Sequence, residues 1–153
     1  MDLRSRVGVA LKDAMRAKDA KRLSTLRLIN AAIKDRDIAM RGEGDEGGAG
    51  DPEVLAILAR MVKQRQESAR LYEEGGRLDM AEEEREEIVI LEEFLPRQLG
   101  DEEVTAAIDE AVADTGAGGI RDMGRVMAAL KERYAGRMDF GRVGPRVKQR
   151  LAS

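Results

Sequence analysis

The sequence contains neither cysteine nor histidine among its 153 residues. Disulfide bonds, thiolate nucleophiles, zinc sites of the usual cysteine and histidine type and imidazole acid-base catalysis are therefore excluded together. Aromatic residues are also scarce, with two tyrosines, two phenylalanines and no tryptophan. Any hydrophobic core must consequently be built from leucine, isoleucine, valine, methionine and alanine, a mixture that is typical of helices.

Long apolar runs are missing as well. None approaches the roughly 20 residues that a membrane-spanning helix needs, and the N-terminal segment MDLRSRVGVALKD lacks the apolar stretch of a signal peptide. We therefore expect a cytoplasmic protein that does not contact membranes. The alternation of apolar and polar residues that marks β-strands is not found in any run long enough for a sheet.

Charge is unevenly distributed along a chain whose net charge is -3. Residues 1–41 carry eleven basic and five acidic side chains, residues 42–120 carry seven and twenty-two, and residues 121–153 carry nine and three. Both ends therefore have a surplus of six positive charges. A basic segment of this kind is a candidate for binding a polyanion, and the alternative is a solvated helical surface that serves only solubility.

Apolar residues recur every three or four positions from the N-terminus onward, which predicts amphipathic helices. The first helix runs from Leu3 to about Arg16. Asp19 is placed to cap the second helix, whose inner face extends to Ile38. The segment 41–50, RGEGDEGGAG, contains five glycines and three acidic residues. It predicts a mobile surface loop outside both helix and core, and it lacks the pattern of a phosphate-binding or calcium-binding loop.

The third and fourth helices have clear boundary signals. Asp51 is predicted to cap the third helix, with Pro52 in its first turn and Gly75–Gly76 at its end. Asp79 is predicted to cap the fourth helix, which Pro96 ends. The acidic residues of the fourth helix could suggest a metal site or a catalytic pair. We expect no metal there, because acidic side chains are favoured near any helix N-terminus. They are Glu82, Glu83, Glu84, Glu86 and Glu87.

The segment 96–100 begins with proline and ends with glycine, which predicts a linker. It separates an N-terminal domain, residues 1–95, from a C-terminal domain, residues 101–153. Apolar spacing in the C-terminal domain predicts three further helices. The sequence thus predicts an all-α protein with a four-helix lobe followed by a small three-helix lobe.

Acidic residues mark the beginnings of the three C-terminal helices at Asp101, Asp122 and Asp139. Pro145 fits the first turn of the last helix only if that helix begins late. The same region contains three glycine-arginine pairs, in which a glycine could bring the backbone close to a phosphate beside a guanidinium group. We favour structural roles for these glycines: close helix packing for the first, ending a helix for the second and opening a helix for the third. The pairs are Gly124-Arg125, Gly136-Arg137 and Gly141-Arg142.

Three stretches together resemble the YqeY family of the GatB/YqeY superfamily. They are RLSTLRLINAAIK, VKQRQESARLYEEGGRLDMAEEEREEIVILEEFLPRQL and DMGRVMAALKERYAGRMD. The C-terminal part is similar to the tail domain of GatB, a subunit of the glutamine-dependent aspartyl/glutamyl-tRNA amidotransferase. That tail engages tRNA, while the kinase and transamidase chemistry resides elsewhere in the enzyme. The resemblance implies an all-helical, two-lobed protein that cannot carry out amidation, a carbon-nitrogen ligase reaction with glutamine as amide donor, by itself.

The resemblance and the charge distribution together predict a non-catalytic protein that binds tRNA or another structured RNA. Because aromatic residues are few, recognition should use the phosphate backbone and shape rather than base stacking. The predicted RNA-binding residues are Arg125, Arg133, Arg137, Arg142, Arg146, Lys148 and Arg150. A secondary basic surface is predicted at Lys21, Arg22 and Arg27.

Two other functions stay open. The protein could be an accessory subunit of a glutamine-dependent amidotransferase that acts through apolar helix faces. It could also be an independent enzyme, but no hydroxyl residue has an evident activating base, and we expect no cofactor and no catalytic residue. The hydroxyl residues considered are Ser5, Ser24, Thr25, Ser68, Thr105, Thr115 and Ser153.

Overall fold

The computed structural model describes residues 1–152, and in that part of the chain it contains seven α-helices and one short 3-10 helix. The predicted all-α class is confirmed. Ser153, the last residue of the predicted C-terminal domain, lies outside the described residues. The α-helices are α1 (Leu3–Ala17), α2 (Ala20–Gly42), α3 (Asp51–Glu74), α4 (Leu78–Glu92), α5 (Asp101–Thr115), α6 (Met123–Arg133) and α7 (Phe140–Ala152), and the 3-10 helix is Ile120–Asp122.

The chain divides into two compact units. The N-terminal unit, Met1–Pro96, contains α1 to α4, and the C-terminal unit, which begins at Arg97, contains α5 to α7. Each unit has its own hydrophobic core. None of the helices in residues 1–152 is long and apolar enough to cross a membrane.

The junction of α1 and α2 follows the sequence pattern closely. Lys18 adopts a left-handed conformation with φ 55°, which ends α1, and its N–H donates to the last carbonyls of that helix. The Asp19 side chain then accepts a hydrogen bond of 3.2 Å from the Arg22 N–H. The predicted cap of α2 is therefore confirmed.

The far end of α2 differs from the prediction. Ile38 is 63% exposed, whereas Asp37 and Met40 are buried. The helix continues to Gly42, and Ala49 is only 4% exposed and belongs to the core of the N-terminal unit. The prediction that segment 41–50 lies wholly outside helix and core was wrong, because a buried carboxylate fixes the end of this loop.

That carboxylate belongs to Asp37. Its Oδ1 accepts hydrogen bonds from the Arg4 guanidinium at 2.9 Å and from the Ala49 N–H at 2.8 Å, and its Oδ2 forms an ion pair with the same guanidinium. Arg4 also donates to the Ala49 carbonyl at 3.0 Å. The Arg4 contact, followed by the Ala49 N–H, holds the pKa of Asp37 well below its usual range. We call Arg4, Asp37 and Ala49 the loop clamp.

Asp51 is the first residue of α3 and not its cap, and its carboxylate binds the start of another helix. Its Oδ1 accepts a hydrogen bond of 2.9 Å from the Leu3 N–H at the start of α1. The N-cap of α3 is Gly50, and Glu53 accepts from the Gly50 N–H at 3.0 Å. The sequence signal for a helix start was correct, but tertiary contact gives the Asp51 carboxylate a partner 48 positions away.

The boundaries of α4 also shift. The helix begins at Leu78, so Asp79 lies in its first turn and not at the cap, and it ends at Glu92, before Pro96. Its carboxylates bind basic residues of neighbouring helices, as in the ion pair between Glu87 and Arg65 at 2.9 Å. In residues 1–152, no cluster of acidic side chains has the arrangement of a metal site.

The C-terminal unit packs α5, α6 and α7 around a small core. Val126, Leu130 and Val147 are fully buried at its centre. Because α7 begins at Phe140, Pro145 lies inside the helix and not in its first turn. The alternative of a late helix start is therefore wrong, and the helix tolerates the loss of one backbone hydrogen bond at this position.

Candidate nucleic-acid interface

The basic surplus of the last segment is balanced within its own structural unit. Helix α5 contains six acidic residues and no basic one. Residues 97–153 together carry ten basic and nine acidic side chains. The surplus of six positive charges in residues 121–153 is therefore reduced to one in the folded unit.

Two of the predicted RNA-binding residues are bound directly to α5. Arg133 of α6 forms an ion pair of 2.9 Å with Asp114, and Arg150 of α7 forms one of 3.0 Å with Asp109. These contacts join the three helices of the unit. The sequence missed this role because both partners lie far away along the chain.

Arg146 also points towards α5. Its guanidinium donates to the Thr105 hydroxyl and to the Asp101 carbonyl at 3.3 Å, and its Nη1 lies 3.8 Å from the Asp101 carboxylate. Between α5 and α7 it borders a shallow groove of about 290 Å³. The groove is lined by Thr105, Ile108, Arg146, Gln149 and Arg150.

Arg125 is held within its own turn. It forms an ion pair of 2.9 Å with Asp122 and donates to the Thr115 carbonyl at 2.9 Å. The Asp122 carboxylate also accepts from the Gly118 N–H at 2.9 Å. The Gly118 contact and then the Arg125 contact lower the pKa of Asp122. The glycine-rich loop before α6 therefore already binds a carboxylate of the protein itself.

Arg142 is the most loosely held of the predicted arginines. Its side chain is 88% exposed, and its Nε lies 3.8 Å from Asp139. The preceding Gly141 donates its N–H to the Asp139 carboxylate at 2.9 Å, in agreement with a role in opening α7. Gly124, by contrast, has open space where a Cβ would stand, so the close-packing role expected for it was wrong.

Arg137 fastens the start of the C-terminal unit. Its Nε donates to the Arg97 carbonyl at 3.1 Å, and its own carbonyl accepts from the Leu99 N–H at 2.9 Å. The guanidinium lies 5.9 Å from the centre of the Tyr134 ring. Gly136 has φ 75°, a turn conformation after α6 that glycine adopts without strain.

A carboxylate beside this segment offers a direct test of the geometry. Glu103 accepts two hydrogen bonds of 2.8 Å from Arg97 and one of 3.1 Å from the Gly100 N–H. The Arg97 contact, followed by the Gly100 contact, lowers the pKa of Glu103 to about 2. We expect Arg97→Gln to raise this pKa towards the value of about 4.3 found in peptides. Carboxyl carbon NMR over a pH series measures the change, and Arg121→Gln should leave it unaltered. An unchanged pKa in Arg97→Gln would contradict the described ion pair.

Besides Arg137, which donates to the Arg97 carbonyl, three cations of the C-terminal unit have no ion pair in the described part of the chain. Lys148 was among the predicted residues, whereas Arg121 and Lys131 were not; all three are exposed. No acidic residue stands three or four positions from any of them in the sequence. Helical ion pairs form at this spacing, so its absence excludes a partner on the same helix but not one on another helix, as the ion pairs of Arg146 and Arg150 with α5 show.

The secondary basic surface separates into two parts. Lys21 forms an ion pair of 3.0 Å with Glu86, and Arg22 forms one with Glu93, so both are bound to acidic residues of α4 and its C-cap. Arg27 makes no ion pair in residues 1–152 and is exposed on α2. The structure therefore does not bring the three residues together as one free cationic surface.

These features define an all-α protein of two units whose C-terminal unit presents cations beside arginines that its own acidic helix neutralises. Residues 4–151 match the family described as Yqey-like protein, and the chain belongs to that family. It is also 34% identical over 112 residues to Altered inheritance of mitochondria protein 41, mitochondrial, from Clavispora lusitaniae (strain ATCC 42720). The match covers 73% of this chain and 59% of that relative, so the chain spans about three fifths of the relative's length. The family resemblance identified from the sequence is confirmed.

Proposed function

We propose that the protein binds tRNA or another structured RNA through its C-terminal unit and does not itself catalyse a reaction. The observation that supports this most directly is the presence of Arg121, Lys131 and Lys148 as exposed cations without ion pairs among the described residues. The similarity of this part of the chain to the tRNA-engaging tail domain of GatB supports the same partner.

The ion pairs of the unit set the expected strength of binding. A solvent-exposed pair contributes about 1 kcal/mol or less, so a phosphate can take the place of Asp139 beside Arg142. Arg133 and Arg150 are less available because they join helices through Asp114 and Asp109. Roughly three or four phosphate contacts in the C-terminal unit then contribute about -3 to the slope of the logarithm of the association constant against the logarithm of the salt concentration.

The test compares two sets of substitutions in the full chain. We expect the C-terminal triple variant to bind tRNA roughly 10-fold or more weakly than wild type at low salt and to lose about 2–3 units of salt slope, as measured by fluorescence anisotropy. A control triple variant removes the same charge from exposed positions in the N-terminal unit. The C-terminal triple variant is Arg121→Gln, Lys131→Gln and Lys148→Gln. The control triple variant is Lys12→Gln, Lys18→Gln and Arg60→Gln.

The outcome separates a defined interface from a general charge effect. Equal losses in both variants would show that net charge alone governs binding. No binding of wild type to tRNA even at 50 mM salt would reject the proposed function. Circular dichroism melting curves of all three proteins should coincide, because the substituted side chains are exposed.

A second candidate is an accessory role in an amidotransferase complex through protein contact. Leu71 is 54% exposed and Leu78 is 67% exposed, and both flank the Gly75–Gly76 turn between α3 and α4. Exposed large apolar side chains near one turn suit a protein partner. We expect Leu71→Ser with Leu78→Ser to abolish recovery of amidotransferase subunits from an RNase-treated lysate, whereas Val89→Ser, also at an exposed apolar position, should not. Absence of those subunits with wild type would exclude this role.

A further inference from the structure

One exposed side of α2 carries cations for which the described structure records no ion pair. Arg27, Lys34 and Arg41 are exposed, while Leu26 and Ile33, each one position before a cation and about 100° away around the helix, are buried. The three cations follow one another at intervals of seven positions. Seven residues make almost two full helical turns, so the three side chains lie along one side of the helix.

These cations are not neutralised along their own helix. Positions three and four residues from Arg27 hold Leu23, Ser24, Asn30 and Ala31. Arg70 shows the opposite arrangement, with ion pairs to Glu67 and Glu74 in its own helix. The described structure records no ion pair for any of Arg27, Lys34 and Arg41, so these side chains are available to an external anion.

Acidic residues near the row do not cancel it. Asp37 is three positions from Lys34 and four from Arg41, and it exerts an attraction on Arg41, but its carboxylate is buried and bound to Arg4. Asp35 is exposed about a quarter of a turn away from Lys34. Helix α2 as a whole carries six basic and two acidic residues.

The dimensions of the row select the kind of anion. Neighbouring cations are about 10 Å apart along the axis, and the row is about 21 Å long. A single phosphate or carboxylate can contact only one of these side chains at a time. A nucleic-acid backbone carries charges at regular short intervals and can contact all three.

From this arrangement we propose that Arg27, Lys34 and Arg41 form a second RNA-binding surface, on the N-terminal unit, which contacts the phosphate backbone. We call it the α2 row. The proposal rests on the proposed function for its ligand but assigns the contact to different residues. An anionic membrane is the less suitable partner, because the only large apolar side chains exposed on α2 are Leu28 and Ile38, and a membrane-bound helix needs a continuous apolar face.

The experiment uses the full chain and the same control triple variant. In the α2 triple variant, Arg27, Lys34 and Arg41 are all replaced by glutamine. We expect its affinity for tRNA to fall about 10-fold or more at low salt, with a salt slope smaller by about 2–3 units than that of wild type. The C-terminal triple variant is measured in parallel, together with binding of each protein to phosphatidylcholine vesicles containing phosphatidylserine.

The results distinguish the two proposals. A loss in the α2 triple variant that exceeds the loss in the control supports the α2 row, whether or not the C-terminal triple variant also loses affinity. If the α2 triple variant binds tRNA as tightly as the wild type does, the α2 row is overturned and the proposed function is not affected. Binding of the wild type to vesicles but not to tRNA overturns both the proposed function and the α2 row. Equal losses of tRNA affinity in the α2 and control triple variants overturn the α2 row.

Discussion

Replacing Leu130 by alanine should unfold the C-terminal unit while the N-terminal unit keeps its structure. Leu130 is fully buried in α6, at the centre of a core made by only three helices. Loss of a buried leucine side chain costs about 2–5 kcal/mol, which approaches the whole stability expected of so small a unit. Amide hydrogen exchange should therefore show lost protection in residues 101–152 and unchanged protection in residues 1–96.

The matched control for this prediction is Ile120→Ala. Ile120 is in the same unit but 48% exposed, so its truncation should change the melting temperature little. Uniform loss of protection along the entire chain in Leu130→Ala would contradict the division into two units. Unchanged protection would contradict the central position of this side chain in the core.

The second large effect is expected at the loop clamp. Asp37→Ala removes a carboxylate that binds the Arg4 guanidinium and the Ala49 N–H together. The Ala49 N–H would be left without its partner next to the core, and Arg4 would keep only its contact with the Ala49 carbonyl, which is destabilising. We expect the melting temperature at pH 7 to fall by about 5–10 °C. Asp35→Ala, two positions away on the exposed side of α2, should have almost no effect.

The same clamp predicts a pH dependence. Because the folded state lowers the pKa of Asp37, the ionised carboxylate stabilises the protein above the unfolded value of about 4, and this stabilisation is lost as the pH falls below it. The difference in stability between wild type and Asp37→Ala should therefore be constant near neutral pH and decrease in acid. Urea denaturation at pH 7 and pH 3 measures it. A difference that does not decrease in acid would show that the ion pair with Arg4 is not the source.

The sequence was most informative where local interactions decide the structure. Apolar periodicity identified seven helices, and Asp19 caps α2 as predicted because its partner is only three residues away. Errors arose where distant partners intervene. The Asp51 carboxylate binds the Leu3 N–H at the start of α1, and Ala49 enters the core because Asp37 fixes its backbone. Neither contact is visible in a local pattern.

The same distinction explains the candidate site. Composition located the basic segment, but only the fold shows that Asp109 and Asp114 of α5 bind Arg150 and Arg133. The ion pair of Arg125 with Asp122 could have been expected from their spacing of three residues at the start of α6. A search for cations without acidic neighbours at helical spacing would have found Arg121 and Lys131, which the predicted set omitted, but it would also have returned Arg146 and Arg150, which pair with α5.

The acidic helix α5 has a consequence for ligand choice. Its aspartates form ion pairs with Arg133 and Arg150, so they compete with any external anion for those two guanidinium groups. An external anion must bind these guanidinium groups more strongly than the aspartates do. The aspartates lose no entropy of association, because they belong to the same chain. If the protein binds RNA as proposed, we expect chloride and isolated carboxylates to bind too weakly to displace the aspartates and polymers with closely spaced phosphates to displace them. On that proposal the acidic helix selects ligands by charge density.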